Sequence, residues 1–268
     1  KKEKMMIKMI ASDLDGTLIP EGTQEMEPGF FEVLSELLDR GYQFYVATGR
    51  QYANVRRLFD SYADRIGFVC ENGALAMAQE QQQYILEVPH EKAIAIAEDI
   101  MSFPETDICL SGVKACYIQP RSDWFENQMV NVLRNKTKMF QELSEIDDQI
   151  VKIAMYIYDF PKHVDRIRAL LNEKYGDFAD FVWGGNDWLD MIQKNSGKGL
   201  ALQAILKEKG WKPEELLVFG DNQNDISMLE LTPNSYAMEH AKPDVIPHAS
   251  HTCKSVTEKL REFLKEQS

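Results

Sequence analysis

The stretch ASDLDGTLIP, residues 11–20, ends the first predicted strand of the chain and raises a question about its chemistry. The apolar run before it, MMIKMIAS at residues 5–12, predicts a short buried strand, and two aspartates, Asp13 and Asp15, stand at its end. A Gly-Thr turn follows at once. Because two neighbouring carboxylates raise each other's cost of ionisation, a strand that ends in this way predicts a polar site with a specific purpose.

Strand and helix patterns alternate after this first strand. The next segments are a helix in PGFFEVLSELLDRG, a strand in YQFYVATG, a helix in RQYANVRRLFDSYA and a strand in GFVCENGA. After Lys194 the alternation returns with a helix, the apolar strand ELLVFG, a short helix and a strand near SYAM. Strands joined by helices form parallel sheets through right-handed crossovers, so we predict an α/β core with a Rossmann-like parallel sheet.

The middle of the chain has a different order of predicted strands and helices. Its strands follow one another without crossover helices, as in ICLSG and KACYIQ, which predict a hairpin that turns near Gly112. Adjacent strands of this kind are typical of an α+β module with an antiparallel sheet. We therefore predict a catalytic core formed by residues 1–82 and 190–268, interrupted by an α+β domain of ordinary size at residues 83–189.

Composition and charge disfavour several classes of function. The 268 residues are 44% hydrophobic and 27% charged, as in an ordinary globular protein, and the formal net charge is −13. This charge argues against binding to nucleic acid or to an anionic membrane. The N-terminal apolar stretch is short and contains Lys8, so we expect neither a signal peptide nor a membrane span. The four cysteines form no C-x-x-C pair, and we expect unpaired thiols in a reducing cytoplasm.

Four polar clusters follow core strands or open a core helix. They are Asp13–Thr17, Thr48–Arg50, Lys198 and Gly220–Asp225. Ligands bind beyond the carboxyl ends of parallel strands, so we expect the clusters to converge. Clustered carboxylates call for a cation, and Mg²⁺ suits their oxygen ligands better than zinc, since the clusters contain no His or Cys. Lys198 and the backbone amides after Thr48 would then hold phosphate oxygens.

These motifs resemble those of the haloacid dehalogenase (HAD) superfamily, and within it those of the Cof-type phosphatases. The matching segments are DLDGTL (13–18), ATGR (47–50), ENGA (71–74), SGKGLAL (196–202), GDNQNDISML (220–229) and AMEHAKPD (237–244). The interval between Thr17 and Thr48 is too short for a large domain, whereas that between Arg50 and Lys198 has room for one. The resemblance therefore implies an HAD core with an inserted cap of type IIB.

The resemblance also implies a role for each matching residue. Asp13 would be the nucleophile that forms an aspartyl-phosphate, and Asp15 would act as general acid and then as general base. Mg²⁺ would be held by the Asp13 carboxylate, the Asp15 main-chain carbonyl and Asp221, and Asp225 would orient these ligands. The residues expected around the transferring phosphoryl group are Thr48, Gly49, Lys198 and Asn224.

Several polar and aromatic residues allow two interpretations. Arg50 either starts a helix in solvent or contacts the cap, or else it contacts the substrate or the active site. Trp183 and Trp188, in WGGNDW, either contact a sugar or a base or pack at the hinge of the inserted domain. Asn72, in ENGA, either ends a strand or lines the substrate side of the site. Thr48 is also a candidate helix N-cap.

Two features near the C-terminus lie outside the four motifs. His248, His251 and Cys253 show no evident fourth ligand, so we interpret them as part of a loop rather than as a metal site. Many members of the family carry Asn where this chain has His240, at the edge of the expected pocket. Neither feature alters the predicted chemistry.

The sequence as a whole predicts a cytoplasmic, Mg²⁺-dependent phosphatase. It would act on small phosphate monoesters, with sugar phosphates as the favoured class, because a small cap selects the leaving group by closure. One alternative is a phosphomutase that uses the same intermediate, and another is a non-catalytic protein that binds phosphosugars. The expected partner is a small phosphorylated metabolite, without nucleic acid or membrane.

Overall fold

The structure, a computed structural model, describes residues 6–267. The beginning of the first predicted strand at Met5, the basic residues before it and the final Ser268 lie outside this range. Contacts divide the chain into two units. We call the unit formed by residues up to Tyr84 and from Gly197 onward the core unit, and the unit Ile85–Ser196 the inserted unit.

Strands and helices alternate through the core unit, while strands dominate the inserted unit. The strands within the described residues are β1 Met9–Asp13, β2 Gln43–Ala47, β3 Gly67–Cys70, β4 Leu75–Ala78, β5 Gln81–Ile85, β6 Thr106–Gly112, β7 Cys116–Ile118, β8 Thr137–Met139, β9 Ile150–Ile157, β10 Ala179–Gly185, β11 Trp188–Gln193, β12 Leu216–Gly220, β13 Ser235–Met238 and β14 His251–Cys253. The helices in the same range are α1 Phe30–Asp39, α2 Tyr52–Leu58, α3 His90–Ser102, α4 Asp123–Asn127, α5 Phe160–Tyr175, α6 Lys198–Glu208, α7 Ile226–Leu229 and α8 Val256–Glu266.

The sheet of the core unit confirms the predicted α/β class. Its strand order over the described residues is β14-β13-β12-β1-β2-β3-β4-β5. The neighbours from β14 to β3 pair in parallel, and β4 turns back antiparallel on β3. Strand β1 is buried along its whole length, as expected of a central strand in a layered α/β core. Its carboxyl end, at Asp13, lies between the ends of β2 and β12.

The inserted unit is built on a second, mostly antiparallel sheet. The order of its described strands is β10-β11-β9-β6-β7-β8, in which only the β7–β8 pair is parallel. Side chains of α3 and α5 pack against this sheet in a hydrophobic core of their own. The hairpin predicted near Gly112 is present as β6 and β7. No helix among residues 6–267 has both the length and the apolar character needed to cross a bilayer.

The bounds of the inserted unit differ from the expected junctions by two residues at its start and by seven at its end. We expected the inserted domain to end at residue 189, whereas residues up to Ser196 belong to the inserted unit. The reason is that β11 pairs with β9 on one side and with β10 on the other. Hydrophobic pattern identifies a strand at this position, but it does not reveal the strand's partners.

Two local expectations near cysteines are wrong. Cys109 and Cys116 form a disulfide, because the β6–β7 hairpin places their side chains on the same face of the sheet. Cys70 and Cys253 are buried free thiols, as expected. The segment around His251 and Cys253 is the edge strand β14 rather than a loop, since it pairs in parallel with β13.

Candidate active site

The loop after β1 is shaped to fit Asp221. Gly16 has a φ of +90°, and a Cβ atom there would lie 2.4 Å from Oδ2 of Asp221, so both the conformation and the space require glycine. The hydroxyl of Thr17 donates a hydrogen bond to Oδ1 of Asp221 over 2.7 Å. Asp13, the last residue of β1, is only 5% exposed. The first and fourth sequence motifs therefore meet at the carboxyl end of the sheet.

Lys198, the first residue of α6, is fully buried among carboxylates. Its Nζ donates to Oδ1 of Asp13 over 2.5 Å and to Oδ1 of Asp225 over 2.6 Å. The other oxygen of Asp225 accepts hydrogen bonds from the backbone N–H groups of Asp221 and Asn222, both over 2.9 Å. Asp225 thereby holds the loop that follows β12 while it shares the lysine with Asp13.

The charges in this cluster strongly perturb one another. Burial, together with the charges of Asp225 and Asp221, raises the pKa of Asp13 well above its usual range, although Lys198 opposes the shift. Burial raises the pKa of Asp221 too, and Asp225 adds to the shift while the Thr17 hydrogen bond opposes it. For Lys198, the negative charges of Asp13 and Asp225 outweigh the desolvation that lowers its pKa, and they hold that pKa above its ordinary value. One lysine thus faces three carboxylates, an excess of negative charge that favours a bound cation.

The donor set fits a magnesium ion. Asp13, Asp221 and Asp225 each offer a carboxylate oxygen, and these atoms lie within 4.8 Å of one another. All the donors are oxygens, the ligand type that Mg²⁺ prefers, and they lie beside the backbone turn at Gly16. The carboxylates of Asp13 and Asp221 are two members of the predicted ligand set. The main-chain carbonyl of Asp15 remains a predicted third ligand.

Asp15 has a different environment from Asp13. Its side chain is 52% exposed and pairs in a bidentate manner with the guanidinium of Arg50. Nε of Arg50 donates to Oδ2 over 2.9 Å, Nη2 donates to Oδ1 over 2.5 Å, and Nη1 donates to Oδ1 of Asn54 over 3.3 Å. A fork of this kind fixes the direction of a carboxylate as well as its distance. The two aspartates at the end of β1 are therefore held by two different cations, Lys198 and Arg50.

The remaining predicted phosphate-binding residues lie together. Nδ2 of Asn224 donates to Oδ1 of Asn72 over 3.0 Å, and a Cβ atom on Gly49 would come within 2.9 Å of that same oxygen. The Thr48 hydroxyl accepts a hydrogen bond from the backbone N–H of Arg50 over 3.1 Å. The residue at the N-cap of α2 is Gln51, so Thr48 is not the cap of this helix. Asn72 is thus placed among the residues expected to bind phosphate.

His240 is a site neighbour to which sequence reasoning gave no role. Its Nε2–H donates to the carbonyl oxygen of Gly16 over 2.7 Å, so it touches the turn between Asp15 and Thr17. The match of AMEHAKPD to the family was the available signal. It placed His240 at the edge of the expected pocket without indicating its contact with Gly16.

Trp183 and Trp188 lie in the inserted unit, on the β10–β11 hairpin. Trp183 is 65% exposed, and its indole N–H donates to the carbonyl of Asn186 over 2.7 Å. Trp188 packs against the rings of Phe125 and Tyr156, with ring centroids 5.8 and 5.7 Å away. The second tryptophan thus has a packing role within its own unit, whereas the first presents its ring to solvent.

Comparison with known proteins agrees with this geometry. The sequence model of the haloacid dehalogenase-like hydrolases matches residues 10–259. The chain is 27% identical over 247 residues to the 5-amino-6-(5-phospho-D-ribitylamino)uracil phosphatase YbjI of Escherichia coli, an alignment that covers 92% of this chain and 90% of the relative. It is 26% identical over 264 residues to the pyridoxal phosphate phosphatase YbhA of the same organism, with 92% and 93% covered.

A solved structure with the same architecture is that of the HAD subclass IIB sugar phosphatase BT4131. The two chains superpose with a TM-score of 0.75 at 22% identity, over 96% of this chain and 98% of the other. This likeness shows the fold and confirms the predicted core with a cap-type insertion. The match of the family model across nearly the whole chain and the two phosphatase relatives identify the protein: the chain belongs to the haloacid dehalogenase-like hydrolases and is a phosphatase of that family.

Proposed function

We propose that this phosphatase hydrolyses sugar phosphates and related small phosphate monoesters in a Mg²⁺-dependent reaction, through an aspartyl-phosphate on Asp13. The observation that carries the proposal is the pairing of two aspartates with separate cations. Asp13 is nearly buried and held by a fully buried lysine, whereas Asp15 is exposed and held by Arg50. Two carboxylates in contrasting environments are suited to two different chemical roles.

The proposed reaction has two steps. In the first, a carboxylate oxygen of Asp13 attacks phosphorus, the bond from phosphorus to the leaving oxygen breaks, and Asp15 gives that oxygen a proton. In the second, Asp15 takes a proton from a water molecule that attacks phosphorus, and inorganic phosphate leaves Asp13. Thr48, Gly49, Lys198 and Asn224 would balance the charge on the phosphoryl oxygens. A Mg²⁺ ion held by Asp13, Asp221 and the Asp15 carbonyl would neutralise negative charge on the phosphoryl group.

The substrate class is proposed from the fold and from the relatives. The two relatives are named for a phosphorylated ribitylaminouracil and for pyridoxal phosphate, both small phosphate monoesters. The structural neighbour is named a sugar phosphatase. We place the enzyme in the cytoplasm, where such metabolites are found, with no nucleic-acid partner.

Release of inorganic phosphate tests the proposal. The wild-type protein with Mg²⁺ is incubated with para-nitrophenyl phosphate and with a panel of sugar phosphates that also includes the two relatives' substrates. We expect turnover that EDTA abolishes and that Asp13→Asn lowers by about 10³-fold or more. Asp39→Asn, at an exposed carboxylate paired with Arg65, is the control and should remain active.

Two results would contradict the proposal. Full activity of Asp13→Asn in the presence of Mg²⁺ would show that Asp13 is not the nucleophile. Formation of an isomeric phosphate ester with little free phosphate, followed by ³¹P NMR, would identify a phosphomutase instead.

A further inference from the structure

The turn after β3 has an unusual backbone. Glu71 and Asn72 have φ values of +51° and +56°, and Gly73 follows at +94°. Left-handed conformations are unfavourable for residues with a Cβ atom, and two such residues in succession persist only where the surroundings impose them. Because strained backbone is concentrated at functional sites, this turn, which we call the ENG turn, calls for an explanation.

The backbone of the ENG turn is hydrogen-bonded to one of the four site clusters and packed closely against a second. The N–H of Glu71 donates to the carbonyl of Arg50 over 3.2 Å, and the N–H of Asn72 donates to the carbonyl of Thr48 over 3.1 Å. On its other side, a Cβ atom at Gly73 would lie 2.2 Å from the carbonyl oxygen of Gly197, the residue before Lys198. The turn is therefore packed between the second and third motifs.

The side chain of Asn72 reaches a third cluster. Its Oδ1 accepts the hydrogen bond from Nδ2 of Asn224 over 3.0 Å. The same oxygen would lie 2.9 Å from a Cβ atom at Gly49, so glycine at that position leaves room for the Asn72 amide. The nitrogen of an amide side chain carries two N–H donors, and fixing one of them sets the direction of the other.

We propose that Asn72 is a positioning residue for phosphoryl binding. The left-handed ENG turn holds the Asn72 amide against Asn224, and this hydrogen bond orients the second N–H of Asn224 toward the phosphoryl group. The proposal rests on the proposed function, because it takes Asn224 as a ligand of the phosphoryl group. It accounts both for the strained backbone and for the glycine at position 49.

The test compares variants by their binding of inorganic phosphate. Dissociation constants are measured by titration calorimetry with Mg²⁺ present, and melting temperatures are measured on the same samples. Asn72→Gly removes the amide and relieves the backbone strain, whereas Asn72→Ala removes the amide and retains the strain. We expect both variants to bind phosphate about 3- to 10-fold more weakly, the range for one lost hydrogen bond. Only Asn72→Ala should also melt at a lower temperature.

A control variant and a double variant distinguish the loss of a positioning contact from a general loss of order in the fold. Gln79, in the β4–β5 turn, also has a left-handed backbone, with a φ of +50°, and it is exposed. Gln79→Gly should leave phosphate binding unchanged. Because Asn72 acts through Asn224, Asn72→Gly should weaken phosphate binding little further in a protein that already carries Asn224→Ala.

Three outcomes would overturn the inference. Phosphate binding could be unchanged in Asn72→Gly, or the wild-type protein could fail to bind phosphate. The third outcome is a double variant whose loss of binding free energy equals the sum of the losses in Asn72→Gly and Asn224→Ala. Turnover of para-nitrophenyl phosphate is recorded separately. If the wild type binds phosphate and Asn72→Gly weakens binding as expected, but no ester is hydrolysed, the inference stands and the proposed hydrolysis fails.

Discussion

At the scale of single residues, Lys198 carries a positive charge with no exposed surface, between the carboxylates of Asp13 and Asp225. An isolated charge in such a place would be costly, and the two short hydrogen bonds compensate for its desolvation. Removing one partner from a buried ion cluster lowers the free energy of unfolding by more than the cluster's net contribution, since the other charges are then left uncompensated. Lys198 therefore has a structural role in addition to its proposed contact with phosphate.

We predict that Lys198→Met destabilises the protein by about 3–5 kcal/mol in the absence of divalent cations, because it leaves Asp13 and Asp225 buried without a counter-charge. The measurement is urea unfolding in EDTA. Lys207→Met, at an exposed position near the end of the same helix, is the control and should change stability little. A loss of less than about 1 kcal/mol in Lys198→Met would contradict the assignment of this cluster as a charge-compensated core.

At the scale of elements, α8 shows how a helix is secured by both local and distant groups. The hydroxyl of Ser255 accepts a hydrogen bond from the N–H of Glu258 and so caps the helix locally. The distant group is Glu27, which is 8% exposed. Its carboxylate accepts hydrogen bonds from the N–H of Thr257 over 2.7 Å and from the N–H of Val256 over 3.3 Å. It also accepts one from the Ser255 hydroxyl over 2.9 Å. A negative charge also interacts favourably with the N-terminal end of the helix dipole.

We predict that Glu27→Ala lowers the free energy of unfolding by about 1–3 kcal/mol, because it leaves buried N–H groups at the start of α8 without an acceptor. Glu27→Gln should lose less, since its amide oxygen still accepts. Urea denaturation measures both variants, with Glu25→Ala at an exposed site as the reference. Equal stability of Glu27→Ala and Glu25→Ala would show that the cap contributes nothing.

At the scale of the whole molecule, each unit has a hydrophobic core of its own, and the proposed catalytic groups all belong to the core unit. They come from the ends of β1, β2 and β12, from the ENG turn and from the start of α6. A ligand that binds only when these segments are assembled must stabilise the assembled state. Cation binding should therefore be visible in thermal unfolding as well as in activity.

We predict that Mg²⁺ raises the melting temperature, by an amount equivalent to about 2.7 kcal/mol when its concentration is 100 times the dissociation constant. Differential scanning calorimetry in Mg²⁺ and in EDTA measures the change. Asp221→Asn should abolish most of the shift, and in EDTA it should be at least as stable as the wild type, because it reduces repulsion among the carboxylates. A shift of the same size in Asp221→Asn would exclude Asp221 as a ligand.

Most of the elements and the four clusters of the site could be read from local pattern. The strand that ends at Asp13, the helix Phe30–Asp39 and the helix that opens at Lys198 all follow from periodicity and from turn residues. Since the carboxyl ends of parallel strands meet at one edge, the convergence of Asp13, Lys198 and Asp221 followed as well.

The α/β class, the family and the residues expected to carry the chemistry all follow from the sequence. The partner of each group is apparent only in the folded protein: β11 with the inserted unit, Cys109 with Cys116, His240 with Gly16, Asn72 with Asn224 and Glu27 with α8. The reason is physical. Periodicity and turn chemistry act over a few neighbouring residues, whereas these pairings join groups through packing and hydrogen bonds that form once the elements have assembled.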